Sequence, residues 1–138
     1  MIYKFYDTCS LLLKATNLFD EDNTRIVISS ISLQELEDIK TANNKDAEIK
    51  YSARKLLNTL RENPEAFEIW IFKEEMLQPI IDKGFTHINN DLRILACAFD
   101  YDYYQHPDET VFVTNDLALA AIANCFFGED SIESIKEE

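Results

Sequence analysis

The chain of 138 residues is predicted to fold as a single α/β domain with a mostly parallel sheet, and three observations predict this class. Strand-like and helix-like segments alternate along the chain, which is the pattern that parallel strands with crossover helices produce. Hydrophobic residues make up 46% of the chain and aromatic residues 12%, enough to bury one core. Only two Gly and three Pro are present, which disfavours the many tight turns of an all-β sandwich.

The chain is expected to begin with two strands, each followed by a helix. Residues 2–6 form the first apolar run, and a helix follows from residue 8 to about residue 15. A second strand is expected over residues 25–29. Ser32 is expected to begin the second helix, and Glu35, three residues on, would complete a capping box.

The remaining segments continue the alternation. They are, in order, a helix over 46–62, a strand over 67–72, a short helix over 76–83, a helix over 90–101, a strand over 111–114, a helix over 116–127 and an edge strand over 131–135. The apolar residues of the helix over 46–62 fall on one stripe, which consists of Ile49, Ala53, Leu56 and Leu60. The sheet is therefore expected to hold about five strands.

Charge is the strongest argument against a nucleic-acid partner. The chain carries 26 acidic and 13 basic side chains, a net charge of −13, whereas phosphate binding depends on Lys and Arg. Six of the 13 basic residues, however, lie between positions 40 and 61, where only two residues are acidic. One basic segment could therefore face a phosphate backbone although the whole chain is acidic.

The chain is expected to be a soluble, cytoplasmic protein. It contains no run of about 18 apolar residues, and its N-terminus does not show the basic, apolar and small-residue order of a signal peptide. Its three cysteines have no C-x-x-C spacing, so neither a disulfide framework nor a zinc knuckle is expected.

Four carboxylates lie at the ends of apolar runs that are far apart in the chain: Asp7, Glu35, Asp91 and Asp116. In an open α/β sheet, ligands gather beyond the carboxyl ends of the strands, so acids distant in sequence can converge there. Four carboxylates at one edge repel one another unless a cation compensates them. Hard oxygen ligands suit Mg²⁺ or Mn²⁺, so the sequence predicts a site for one of these ions.

Each acid also has a purely structural interpretation. Asp91 and Asp116 are expected in the first turns of helices, where the helix dipole favours a carboxylate whatever the function. Glu35 could be only the partner in a capping box. Asp7 is harder to explain in this way, because it ends an apolar strand without an adjacent Lys or Arg and needs either a distant partner or a cation from solution.

Four segments surround these acids and span nearly the whole chain: Tyr6-Asp-Thr-Cys-Ser-Leu-Leu12, Ser29-Ser-Ile-Ser-Leu-Gln-Glu-Leu36, Asn90-Asp-Leu-Arg-Ile-Leu-Ala-Cys-Ala98 and Phe112-Val-Thr-Asn-Asp-Leu-Ala-Leu119. In this order they resemble the successive motifs of the PIN-domain ribonucleases. Among these, the chain is most similar to the PIN domains that lie N-terminal to PhoH-type ATPases. Residues 1–138 would then form one PIN-like domain, either a standalone protein or a piece of such a fusion.

The resemblance implies a Rossmann-like three-layer fold, with a central sheet of about five strands between helices. It also implies metal-dependent hydrolysis of phosphodiester bonds in single-stranded RNA, which leaves a 5′-phosphate. The residues that would be catalytic and would bind Mg²⁺ or Mn²⁺ are Asp7, Glu35, Asp91 and Asp116. The residues that would orient these acids or position water are Thr8, Ser32, Thr114 and Asn115.

Position 9 departs from the family pattern. The family usually has Asn or Ser after the Asp-Thr pair, whereas this chain has Cys9. A thiol is a poor substitute for an amide in orienting a carboxylate. Support for Asp7 is therefore expected from Ser10 or from backbone N–H groups.

The helix expected over 46–62 presents the most plausible RNA-binding surface, a basic stripe that consists of Lys50, Arg54, Lys55 and Arg61. Of these, Lys50, Arg54 and Arg61 fall within about 40° of one another around an α-helix. A helix face that is merely solvated is an equally good interpretation of the same pattern.

Two other functions fit part of the pattern. A receiver-like phosphorylation module also binds Mg²⁺, but it would need paired acids after the first strand and a Lys after a late strand, and the sequence shows neither. A PIN domain that has lost catalysis and acts as an RNA- or protein-binding regulatory module stays open, because of Cys9 and the negative net charge. The partners implied are RNA, a second copy in a homodimer, and a PhoH-type ATPase domain, fused or separate, with no membrane.

Overall fold

A central sheet of five parallel strands organises the chain in a computed structural model, which describes residues 1–135. The strands are β1 (Ile2–Tyr6), β2 (Thr24–Ser29), β3 (Phe67–Trp70), β4 (Glu109–Val113) and β5 (Ile132–Glu133). Their order across the sheet is β3-β2-β1-β4-β5, and every neighbouring pair is parallel. The expected α/β class with about five strands is therefore confirmed.

Six α-helices in the described part of the chain connect and flank these strands. They are α1 (Thr8–Lys14), α2 (Ser30–Thr41), α3 (Ala47–Glu62), α4 (Gln78–Asp82), α5 (Asn90–Gln105) and α6 (Leu117–Ala123). Short 3₁₀ turns cover Ala15–Asn17, Glu74–Leu77 and Glu129–Ser131. Within residues 1–135, no helix is both long enough and apolar enough to cross a bilayer.

The two faces of the sheet bury separate hydrophobic cores. Successive side chains of a strand point to opposite faces, so Phe5 and Tyr6 of β1 belong to different cores. The core around Phe5 includes Leu95 of α5, and the core around Tyr6 includes Leu56 of α3. Helices therefore cover both faces, which confirms the three-layer architecture.

The strand order places a topological switch point between β1 and β4. After β1 the chain continues outward through β2 and β3, and it later returns to form β4 on the other side of β1. In open α/β sheets, the crevice beyond the carboxyl ends of strands at such a point is where ligands bind. Asp7 follows β1 directly and Thr114 follows β4 directly, so both residues lie at this crevice.

The expected start of α2 and its capping box are wrong. α2 begins at Ser30, and Ser29 is the N-cap, whose hydroxyl oxygen accepts the N–H of Ile31 at 3.1 Å. Ser32 is instead fully buried inside the first turn. The difference arises because the helix starts as soon as β2 ends, which leaves Ser29 as the side chain beside the unpaired N–H groups.

The apolar stripe expected on α3 is correct for Ala53, Leu56 and Leu60, which are buried, and wrong for Ile49, which is 43% exposed. Ile49 lies in the first turn of α3 and lines a shallow surface groove with Leu13 of α1. The first turn therefore extends past the edge of the core that the rest of the helix covers.

α5 and α6 end at residues other than those expected. α5 continues to Gln105, four residues beyond the expected end, and stops where His106 takes a left-handed conformation with φ 45° and donates its N–H to Asp102. α6 ends at Ala123, because the next turns are closed by tighter i→i+3 bonds such as Phe126 N–H to the Ala123 carbonyl.

A buried lysine joins two distant segments to β1. Lys4 is 5% exposed, and its Nζ donates to Glu21 at 2.7 Å and to Glu133 at 2.6 Å. Burial alone would lower the pKa of Lys4, but the hydrogen bonds to the two carboxylates outweigh burial and raise its pKa. Lys4 therefore stays charged and holds β5, together with the loop before β2, against the centre of the sheet.

Ala15, directly after α1, has a backbone conformation that favours glycine. Its φ of 46° and ψ of −117° lie outside the regions that residues with a Cβ ordinarily populate. Replacing Ala15 by Gly is expected to raise the free energy of unfolding by about 1 kcal/mol, because Gly adopts a positive φ without steric cost. Urea denaturation of the two proteins checks this, and a lower midpoint for the Gly variant would contradict it.

Candidate metal centre

Asp7 lies at the centre of the site, between β1 and α1. Its side chain is buried, with 4% exposure, and it caps α1 by accepting the N–H of Ser10 at 2.8 Å. Its other oxygen accepts a hydrogen bond from Thr114 Oγ1 at 2.5 Å. Ser10 therefore supports Asp7 through its backbone, as was expected from the presence of Cys9 at the preceding position.

Thr114 connects Asp7 to Asp116. The Oγ1 atom that donates to Asp7 also accepts the backbone N–H of Asp116 at 3.1 Å. Asp116 is the N-cap of α6, and its Oδ1 accepts the N–H groups of Ala118 and Leu119 at 2.9 and 3.1 Å. Asp116 is therefore a helix cap, as the structural interpretation predicted. Capping uses one of its two carboxylate oxygens.

Glu35 reaches the site through Thr8, the residue after Asp7. Thr8 Oγ1 lies 2.8 Å from Glu35 Oε1 and 3.1 Å from the Oγ of Ser32. A hydroxyl has one hydrogen, so Thr8 donates to the carboxylate and accepts from Ser32. The carboxylate of Glu35 therefore contacts the first turn of α1 rather than the N-terminus of its own helix.

Asp91 lies in the first turn of α5. Asn89 caps this helix by accepting the N–H of Leu92 at 2.9 Å, so Asp91 is not needed as a cap. Asp91 is half-buried and lines, together with Asp116, a cleft of about 330 Å³. The structure therefore brings Asp91 to the crevice from the α5 side.

The negative charges of the carboxylates change the pKa of groups at the site. Burial raises the pKa of Asp91, and the negative charges of Asp7, Glu35 and Asp116 raise it more. Cys9 is exposed at the surface, but partial desolvation raises the pKa of its thiol, and the charges of all four carboxylates add to the shift. A thiol with a raised pKa is mostly protonated near neutral pH, so Cys9 is not an activated nucleophile.

The donor set fits a hard divalent cation in its chemistry, since carboxylate oxygens are the ligands that Mg²⁺ and Mn²⁺ prefer. Among residues 1–135, however, no three His, Cys, Asp or Glu side chains are close enough together to hold a metal ion. Like charges repel, which favours carboxylates that are spread apart. The four carboxylates therefore act on one another electrostatically without converging on one point.

Asn115 lies at the same crevice but contacts a different segment. Its Oδ1 accepts the N–H of Ile135 at 2.7 Å. This bond holds the chain after β5 against the end of β4. In the described residues, no hydrogen bond joins Asn115 to the four acids, so its predicted part in orienting them stays a prediction.

The loop over 84–89 forms one wall of the cleft, which no sequence pattern indicated. Phe85 packs against the core, and His87 and Asn89 line the cleft. Neither the lone His87 nor the single aromatic residue matches a spacing pattern that would mark a site. The only available signal was Gly84, whose φ of 103° turns the chain after α4.

The basic stripe on α3 is largely on the surface. Arg54, Lys55 and Arg61 are exposed, and Lys50 is half-buried. Lys55 Nζ lies 5.0 Å from the ring centre of Tyr51, which is close enough for a cation–π contact. The structure therefore supports a solvated basic face and leaves its use by RNA as a prediction.

Comparison with protein families gives one clear match. A family model described as PIN domain matches residues 5–126, which is most of the chain and includes all four acids. No curated protein sequence matches the chain.

Solved structures share the fold. A chain of the VapBC2 complex from Rickettsia felis, bound to a DNA fragment from its promoter, is 22% identical with a TM-score of 0.54 and coverage of 97% of this chain and 98% of that chain. A protein from Pyrobaculum aerophilum is 16% identical with a TM-score of 0.58 and coverage of 96% and 83%. A domain of a functionally unknown protein from Methanocaldococcus jannaschii is 18% identical with a TM-score of 0.56 and coverage of 99% and 91%.

Proposed function

The chain belongs to the PIN-domain family, and from this premise we propose that it is a divalent-metal-dependent ribonuclease. The proposed substrate is single-stranded RNA, and the proposed reaction is hydrolysis of a phosphodiester bond that leaves a 5′-phosphate. Asp7, Glu35, Asp91 and Asp116 are proposed as its catalytic, metal-binding residues.

A continuous set of contacts at the carboxyl ends of β1 and β4 is the observation that supports this proposal most. Thr114 contacts both Asp7 and Asp116, and Thr8, next to Asp7, contacts Glu35. Asp91 and Asp116 line the same cleft. These contacts support the proposal that acids from four separate segments act together where an α/β sheet ordinarily binds its ligand.

In the proposed mechanism, the four acids would bind the metal ion and the neighbouring hydroxyl and N–H groups would orient the acids. The four acids would hold Mg²⁺ or Mn²⁺, which when bound would polarise the scissile phosphate and lower the pKa of a bound water. Thr114 and the Ser10 N–H fix both oxygens of Asp7. Thr8 fixes one oxygen of Glu35. These bonds hold the ligand carboxylates in place before substrate arrives, which is what a metal site requires of the groups around it.

Cleavage of a 5′-labelled single-stranded RNA tests the proposal. We expect cleavage with Mn²⁺ or Mg²⁺ and none with EDTA. The products should be degraded by an exonuclease that requires a 5′-phosphate end. Cleavage that persists in EDTA would contradict the proposed metal dependence.

Thr8→Val is expected to lower the rate of cleavage about 10- to 100-fold, the usual effect of removing a group that orients a metal ligand. Valine keeps the shape of threonine but cannot donate to Glu35. Rates measured across a Mn²⁺ titration check this. Thr24→Val is the control, because within residues 1–135 the hydroxyl of Thr24 bonds only to the Asp22 carbonyl, in a loop away from the four acids. Equal rates for the two variants would contradict the role of Thr8.

The basic stripe on α3 is proposed to bind the RNA backbone. Arg54→Glu with Arg61→Glu is expected to weaken RNA binding and to lower the slope of log K against log salt by about 1 to 2. Filter binding at several salt concentrations measures both. Lys73→Glu with Lys83→Glu changes the net charge equally at exposed residues elsewhere and should leave the slope unchanged. Equal slopes for the two double variants would place the RNA on another surface.

A regulatory binding module without catalysis is the second candidate. Within residues 1–135 the spread positions of the carboxylates favour it, and the net charge of −13 favours a protein over RNA as its partner. It predicts binding to RNA or to a protein that does not depend on the four acids, and no metal-dependent cleavage. The cleavage assay above separates it from the enzyme.

Partner proteins are proposed only in general terms. The similar chain from Rickettsia felis belongs to VapBC2, which was solved bound to a DNA fragment from its promoter, and a separate protein that binds this domain is one proposal. A homodimer is another. A link to a PhoH-type ATPase, with residues 1–138 as the PIN-like domain of a fusion, stays a prediction, because the family match shows a PIN domain and no more.

A further inference from the structure

The cleft beside Asp91 and Asp116 is larger than a metal ion needs. Its volume of about 330 Å³ lies at the lower end of the range for small-molecule sites, about 300–1,000 Å³. The loop over 84–89 and the first turn of α5 form one wall, and α6 forms the other. The space beyond the acids therefore suits an organic ligand about the size of one nucleotide.

The walls carry groups that suit a flat heterocycle. Phe85, Leu119 and Ile122 contribute apolar surface, and His87 and Asn89 contribute an imidazole and an amide. Oδ1 of Asn89 already accepts the Leu92 N–H, while its amide hydrogens take no part in that bond. Unpaired bases are bound in this way, by stacking on rings and by hydrogen bonds to their edges.

The position of the cleft relates it to RNA cleavage. Asp91 and Asp116 are shared between the acid site and the cleft, and among residues 1–135 they are the only acids that line it. A phosphate at the acid site would therefore have its adjoining nucleotide directly beside the cleft. The other described residues of the lining include no Asp, Glu, Lys or Arg, so they offer a less charged surface to a base.

We propose that this cleft binds one unpaired nucleobase of the RNA, the base of a nucleotide that adjoins the scissile phosphate. The inference rests on the ribonuclease function proposed above. A base enclosed between two walls cannot pair with a second strand, so the cleft would restrict cleavage to single-stranded segments. It would also select the position of the cut relative to that base.

Filling the cleft tests the proposal in catalysis. Ala118 is exposed on α6 and lines the cleft, so Ala118→Tyr fills it without disturbing the core. Ala121, exposed on the same helix and outside the cleft lining, gives the control Ala121→Tyr. We expect Ala118→Tyr to lower kcat/KM on single-stranded RNA at least about tenfold and Ala121→Tyr to change it less than about twofold. Equal values for the two variants would overturn the proposal.

Removal of single bases gives a second test. In a series of RNAs, one abasic nucleotide is placed at each successive position around the cut. Cleavage should be about 5- to 150-fold slower when the missing base is the one that adjoins the cut on the cleft side. Ala118→Tyr should lose this dependence. A response that is the same at every position would overturn the proposal.

A binding measurement separates this proposal from the proposed function. The Mg²⁺-loaded protein is titrated with AMP, UMP and ribose 5-phosphate while the backbone amide signals of Phe85, His87 and Ala118 are followed by NMR. We expect the nucleotides to shift these signals and to bind at least about fivefold more tightly than ribose 5-phosphate. Equal affinity would overturn the cleft proposal even if RNA is cleaved. Preference for the nucleotides without any cleavage would support the cleft and contradict the ribonuclease function.

Discussion

Asp116→Asn is expected to lower the Mn²⁺-dependent cleavage of single-stranded RNA at least about a thousandfold, because a lost metal ligand removes several kcal/mol of transition-state stabilisation. Asn keeps the size of Asp and can still accept the N–H groups of Ala118 and Leu119, so α6 remains capped. The melting temperature should stay equal or rise, since one of four mutually repelling charges is removed.

Asp7→Asn is expected to behave in the same way. Its amide oxygen can accept the Ser10 N–H, and its NH₂ group can donate to Thr114 Oγ1 in place of accepting from it. Asp20→Asn, at an exposed position in the loop before β2, is the control and should leave both cleavage and melting unchanged. Retained cleavage by either site variant, at an unchanged melting temperature, would refute the assignment of that residue.

Lys4→Met is expected to lower the free energy of unfolding by about 2 kcal/mol. Removing one partner of a fully buried ion pair costs about 3–5 kcal/mol, but Glu21 and Glu133 are 36% and 48% exposed, so solvent lessens the loss. The melting temperature should fall by roughly 5–10 °C. Lys40→Met removes an exposed pair with Glu37 and should cost less than about 0.5 kcal/mol. A loss no larger than that of Lys40→Met would contradict the role of Lys4.

The effect of Lys4→Met should depend on pH. Burial alone would raise the pKa of Glu21, but the bond to Lys4 and its charge outweigh burial and lower it. The contribution of Glu21 is therefore present above its unfolded pKa of about 4.3 and is lost as the pH falls through the lower folded value. The pKa of Lys4 is raised, so its contribution is present below about 10.4 and is lost as the pH rises further. The difference in the free energy of unfolding between the unchanged protein and Lys4→Met should therefore be largest between about pH 4.3 and about pH 10.4.

The sequence predicted the parts of the fold that depend on local pattern. β1 was expected over the same residues that the structure shows, because an apolar run ends there at Asp7. The placement of Asp7 and Asp116 at the same edge of the sheet was also predictable, since the carboxyl ends of parallel strands lie at one edge. Thr8 and Thr114 could be named from the family resemblance, and the structure shows both in contact with the acids.

The parts that were missed depend on contacts between distant segments. Nothing near Lys4 in sequence indicates that Glu21 and Glu133 would lie against it, because these residues meet only when the sheet forms. The cleft wall at Phe85 and His87 depends in the same way on how the loop packs beside α5 and α6. The capping box at Ser32 failed for a local reason, since Ser29 was equally suited to cap α2 and lies where β2 ends.

Anomalous diffraction from crystals soaked in MnCl₂ tests the central claim most directly, namely that acids from four separate segments form one metal site. We predict an anomalous peak in contact with Asp7 and Asp116 and within reach of Glu35 and Asp91. The peak should disappear in crystals of Asp7→Asn. Well-ordered acids without a peak between them, or a peak only at other residues, would contradict the account.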